Sequence, residues 1–222
     1  VVDGDGQPIL LRGFGLGGWL VPEGYMLHNQ AWIQGFESPT DIENHVLELI
    51  GPDEANNFWE LYRANYVAQA DIDKIAEWGF NHLRVPFHYK QFYDSTGTET
   101  PIGYAIIDEL ITWCQPHNIY IILDMHCAPG AQNGGPISDS DGIARLWLED
   151  SYKELTIQIW KEIATYYADH TLIAGYDLIN EPVLPSGVSL EEFKQLYVDI
   201  TEAIREVDNK HLIWIEGNWY GT

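Results

Sequence analysis

The chain has 222 residues, with 34 Asp and Glu against 11 Lys and Arg, a net charge of −23, and 45% hydrophobic residues. Such a composition is globular rather than disordered. The acidity excludes bulk affinity for nucleic acid and disfavours anionic membranes, whereas a neutral partner meets no penalty.

The chain opens on Val1 without a charged-then-apolar leader, so a signal peptide reads as absent or removed. Asp3-Gly4-Asp5-Gly6 is a hairpin signal, and residues 1–8 are expected to plug one end of the domain. A strand follows at 10–15, running into Gly13-Phe14-Gly15-Leu16-Gly17-Gly18. This run lacks the G-x-G-x-x-G spacing and does not enter a helix, so it reads as a tight bend, not a dinucleotide site. Helices are predicted over 41–50, 52–66 (Asp53 just inside Pro52) and 68–78, before a strand at 80–86. Next come a helix at 104–114, a strand at 120–126 and a helix at 151–169. A strand at 175–180, a helix at 190–207 started by Ser189 with Glu192, and a strand at 211–216 complete the series. Cys114 and Cys127 fall at opposite ends of a helix and the following strand, which predicts two free thiols. No run of 18 apolar residues reads as a membrane span.

Strands alternating with amphipathic helices make a βα repeat, and the strands read as continuous apolar runs buried on both faces. An open doubly wound sheet and a closed (β/α)₈ barrel both fit the repeat. Polar residues favour the barrel, because they gather at the C-terminal strand ends, where barrel enzymes place their chemistry. Arg84 lies at the end of the second strand, Asp124 and His126 at the third, Asn180 and Glu181 at the fourth, and Glu216 and Asn218 at the fifth.

Glu181 stands between Asn180 and Pro182, a partly desolvated position that suits a proton donor, against the plainer reading of a solvated or capping carboxylate. Asn180 both donates and accepts, as a sugar hydroxyl requires. Arg84 inside a buried strand needs an anionic partner, either a structural one or a catalytic carboxylate. His126 reads as a core group, a site residue or a zinc ligand, though no second His stands at ligand spacing. Trp19, Trp219 and Tyr220 follow strand ends and are expected to offer flat faces to a sugar.

Four motifs in order resemble glycoside hydrolase family 5, the cellulase family within the clan of (β/α)₈ retaining glycosidases. They are Leu11-Arg12-Gly13 with Leu16-Gly17-Gly18-Trp19-Leu20, and Gly79-Phe80-Asn81-His82-Leu83-Arg84-Val85-Pro86. Asp124-Met125-His126-Cys127-Ala128-Pro129-Gly130-Ala131-Gln132-Asn133-Gly134 and Asn180-Glu181-Pro182 complete them. The first and third are also similar to the β-1,3-glucan exohydrolase branch, which leaves the linkage open. The resemblance implies a β-glucan or related neutral polysaccharide as partner, no metal or organic cofactor, a monomer when complete, and an extracellular or periplasmic setting. It makes Glu181 the acid/base, with Asn180 on the sugar 2-hydroxyl, Arg84 supporting the nucleophile and His126 lining the subsite. Glu216 is expected to line the site, with a direct catalytic role as the alternative.

The family's nucleophile is a Glu at strand seven, and only five strands are legible here. Residues 1–222 therefore read as one barrel domain truncated before strands six to eight, since such barrels run to about 250 residues. Two readings from other classes stay open. One is a non-catalytic carbohydrate-binding barrel. The other is a metal-dependent barrel hydrolase built on His126, Asp124 and Glu181.

Overall fold

The computed structural model describes residues 1–2, 6–27, 36–94 and 97–221. Five strands form one parallel sheet in the order β1 (Gly13–Gly15), β2 (His82–His88), β3 (Tyr120–Cys127), β4 (Ile173–Asp177) and β5 (Leu212–Trp214). Sequence neighbours are therefore sheet neighbours, and each crossover carries a helix. This is the first five units of a (β/α)₈ barrel, incomplete, with β1 and β5 as its two edges.

The helices are α1 (Gly24–Leu27), α2 (Pro39–Ile50), α3 (Pro52–Tyr66), α4 (Gln69–Glu77), α5 (Ile102–Cys114), α6 (Asp150–Tyr167) and α7 (Leu190–Arg205). Ser189 caps α7: its Oγ accepts from the Glu192 N–H at 3.2 Å, and the Glu192 carboxylate accepts from the Ser189 N–H at 2.8 Å. Ser38 and Asp41 close the same reciprocal pair at the start of α2. Val2 pairs antiparallel with Pro8, while residues 3–5 of the expected hairpin turn lie outside the described residues.

Period-2 alternation splits each strand between two environments. Leu83, Val85 and Phe87 of β2 and Ile121, Leu123 and Met125 of β3 are fully buried in the helix-facing core. Phe87 and Tyr176 both meet Trp160 of α6, at ring distances of 5.7 and 5.6 Å. Trp160 also donates its indole N–H to the Leu178 carbonyl at 2.9 Å, tying α6 to the chain just beyond β4. The opposite face carries Arg84, Asp124, His126 and Asp177. The runs read as continuously apolar are thus apolar on one face, and the polar residues expected at the strand ends share the other. Their inner face turns polar toward the C-terminal ends.

β1 is shorter than the predicted strand, with Leu10 66% exposed. Its approach to β2 requires glycine: a Cβ on Gly13 would lie 1.7 Å from the His82 carbonyl oxygen. Cys114 and Cys127 are free and buried, as predicted.

Candidate active site

The site is built around one cation. The guanidinium of Arg84 bonds Asp124 through Nη1 at 2.8 Å and Asp177 through Nε at 2.8 Å. Its Nη2 reaches the Asn180 amide oxygen at 2.8 Å and Glu216 Oε1 at 3.1 Å. β2, β3, β4, the turn after β4 and the turn after β5 therefore converge on one side chain. Sheet register explains part of this, because Asp124 and Asp177 are aligned partners on adjacent strands.

Three carboxylates around one guanidinium leave excess negative charge in a sheltered space. Asp177 is pushed up to about 6, first by burial and then by the charge of Asp124, with Arg84 pulling it back. Burial works against the charge on Arg84, but Asp124 and Asp177 outweigh it and keep the guanidinium cationic. One oxygen of Asp124 and one of Asp177 are buried without a hydrogen-bond partner, so the polar core is not saturated.

His126 stands beside this hub. Its Nδ1 lies 2.7 Å from Asp124 Oδ2, and its Nε2 lies 3.4 Å from Asn180 Nδ2 and 3.8 Å from Glu23 Oε1. Burial opposes a charge on the ring, yet Asp124 prevails and raises its pKa above the ordinary value.

Glu181 follows in the turn after β4, with φ +47. Left-handed backbone is unfavourable for a residue with a Cβ, so the surroundings must hold it. Two contacts do. The Glu181 N–H donates to Glu216 Oε2 at 2.7 Å, and Asn133 Nδ2 donates to the Glu181 carbonyl at 2.8 Å. Gln132, fully buried, adds donations to the carbonyls of His126 at 2.6 Å and Asn180 at 2.8 Å. The loop after β3 thereby grips the turn after β4.

The predicted aromatic residues divide. Trp219 and Tyr220 are 64% and 55% exposed in a turn whose Tyr220 N–H meets the Pro182 carbonyl at 3.3 Å. Both side chains are exposed, and the backbone of their turn adjoins Pro182, the residue after Glu181. Trp19 does not. It is 3% exposed, and its indole N–H donates to the Arg63 carbonyl at 2.9 Å. A ring sealed against α3 offers no face to a sugar, so Trp19 is corrected to a core residue.

Three residues were missed. Asp177 lay inside a run taken as apolar, although it shares the strand face of Arg84. Glu23 and Tyr25 sit in the segment after β1, just before and within the single-turn α1, where no periodicity marks them. Glu23 is buried, and burial raises its pKa while His126 opposes that shift and Glu181 adds to it. Tyr25 is 45% exposed, and its hydroxyl is raised by burial and by the charges of Glu23 and Glu181. Together they bring the segment after β1 alongside Glu181.

Comparison with known proteins fits this geometry. The cellulase family model (glycosyl hydrolase family 5) matches residues 40–222. A β-xylosidase of Phanerodontia chrysosporium is 32% identical over 226 residues, covering 100% of this chain and 45% of that protein. The probable glucan 1,3-β-glucosidase A of Aspergillus clavatus is 25% identical over 226 residues, covering 97% of this chain and 52% of its own length. The crystal structure of rutinosidase from Aspergillus niger superposes with a TM-score of 0.78 at 20% identity, over 93% of this chain and 62% of that one. The chain spans about half the length of these two curated relatives. With the family match covering most of the chain, and four strand ends meeting at Arg84, this chain belongs to glycosyl hydrolase family 5.

Proposed function

We propose that the protein carrying this chain is a retaining β-glycoside hydrolase that cleaves β-glucan-type glucosidic bonds. The observation that carries the reading is Glu181, fixed in a strained turn at the end of β4 beside the Arg84, Asn180 and His126 cluster. Glu181 donates its proton to the glycosidic oxygen as a nucleophilic Glu, outside residues 1–222, attacks the anomeric carbon. The aglycone leaves with that proton. Glu181, now a carboxylate, takes a proton from water, which attacks the same carbon and releases the nucleophile. No metal or organic cofactor enters either step.

Arg84 supports the nucleophile, and Asn180 and His126 line the sugar subsite. Glu216 lines the site, and Trp219 and Tyr220 supply sugar-facing surfaces at the rim. The substrate is a neutral polysaccharide or oligosaccharide, in keeping with the chain's acidity. A polymeric substrate places the work outside the cytoplasm. The domain reading also stands as a proposal: one catalytic barrel acting as a monomer, with residues 1–8 as an end plug. For the metal-dependent alternative, no group of three or more His, Cys, Asp or Glu among the described residues is arranged to hold an ion.

The test is a substrate panel of β-1,3-glucan, β-1,4-glucan, xylan and mannan oligosaccharides, given to the full-length protein. Release of reducing sugar from a β-glucan is expected. Binding without release from any member would favour a carbohydrate-binding barrel and overturn the proposal.

A further inference from the structure

We infer that Glu216 is a positioning residue for Glu181, acting on its backbone rather than on substrate. This rests on the reading of Glu181 as the acid/base. The two oxygens of Glu216 do different work. Oε2 accepts the Glu181 N–H at 2.7 Å, and Oε1 accepts Arg84 Nη2 at 3.1 Å. The chain covers the carboxylate from a third side: a Cβ on Gly221 would lie 3.1 Å from Oε2. Glu181 needs such a hold because its φ of +47 is disfavoured for any side-chain-bearing residue. Asn133 fixes the carbonyl side of the turn at 2.8 Å, and Glu216 fixes the N–H side while anchoring to the Arg84 hub.

A carboxylate suits this post because it accepts two bonds at once, both strengthened by its charge. An amide cannot replace it fully. If its oxygen takes the Glu181 N–H, its NH₂ faces the donors of Arg84. Glu216→Gln keeps one bond of the two, and Glu216→Ala keeps neither.

Misplacing an acid has a signature that a lost sugar contact lacks. A glycoside with a poor leaving group needs the proton, and a dinitrophenyl glycoside does not. The experiment compares kcat/KM, which reports the first displacement alone, on an oligosaccharide of the β-glucan cleaved and on the dinitrophenyl glycoside of the sugar released, for full-length Glu216→Gln, Glu216→Ala and Glu181→Gln. For Glu216→Ala, kcat/KM on the oligosaccharide is expected to fall about 100-fold, carried by kcat with KM nearly unchanged, a loss typical of a displaced catalytic group. On the dinitrophenyl substrate kcat/KM stays within about threefold of the parent, because departure needs no proton, while kcat falls because water still needs its base in the second displacement. Glu216→Gln falls between Ala and the parent, and its melting temperature stays near the parent's.

Equal losses on both substrates with a raised KM would overturn the inference in favour of a substrate contact. A lowered melting temperature with unchanged kcat would overturn it in favour of a purely structural role. If Glu181→Gln itself shows no leaving-group dependence, the acid/base reading of Glu181 fails instead. Glu216→Gln decides the matter should Glu216→Ala not fold.

Discussion

Replacing Glu181 by Gln is expected to lower kcat on an unactivated β-glucoside by about 10²–10⁴-fold, the usual contribution of a positioned acid/base. Gln matches Glu in size and leaves the turn's backbone contacts with Glu216 and Asn133 in place, so folding is retained. The loss should therefore appear in kcat and not in the melting temperature. On a dinitrophenyl glycoside, whose departure needs no proton, azide should restore turnover, because a small anion attacks the glycosyl-enzyme without base assistance and yields a β-glycosyl azide. A loss under about threefold would contradict the assignment of Glu181, since no acid/base contribution is that small.

The second large effect lies at Arg84. Arg84→Met keeps much of the stem volume but leaves Asp124, Asp177 and Glu216 facing one another without their cation. Breaking a buried ion-pair set from one side costs about 3–5 kcal/mol, because the remaining charges stay sheltered. The cost depends on pH. Asp177 is ordinarily 3.8 and stands at about 6 in the folded protein, so the folded state holds a proton that the unfolded chain has released. Its contribution to stability falls as pH rises from about 4 to about 6 and is level above that. Arg84 pulls Asp177 downward, so its removal extends this loss to higher pH. The destabilisation should be smaller near pH 4, where Asp177 holds its proton, and largest above about pH 6. Denaturant unfolding of both proteins at the two ends of that range checks it. A cost independent of pH would show that packing, not charge, is what Arg84 supplies.

The fold was legible because parallel strands and amphipathic helices leave strong periodic signals, and the five predicted strands and the predicted helices recur with shifted bounds. Boundaries were less so. The fourth strand was read as 175–180, whereas β4 spans Ile173–Asp177, because Asn180 and Glu181 belong to the turn. Local sequence does not separate an apolar strand end from a turn that docks on the next strand. Arg84, His126, Asn180 and Glu216 were legible as polar interruptions at strand ends, and the structure gathers them. Asp177 was legible in principle, since Asp124 and His126 already reveal the polar face by their spacing of two. Glu23 and Tyr25 were not, because only the folding of the segment after β1 brings them to Glu181. Trp19 shows the reverse error. An aromatic residue after a strand suits a rim or a core equally in sequence, and only the bond from its indole to Arg63 assigns it.

The central claim is a double displacement with Glu181 as acid/base. Proton NMR of the first sugar released by the full-length protein, recorded before mutarotation, tests it most directly. Two displacements at the anomeric carbon return the starting configuration, so the β-anomer is the predicted first product. An α-anomer would mean a single displacement by water and would contradict the account.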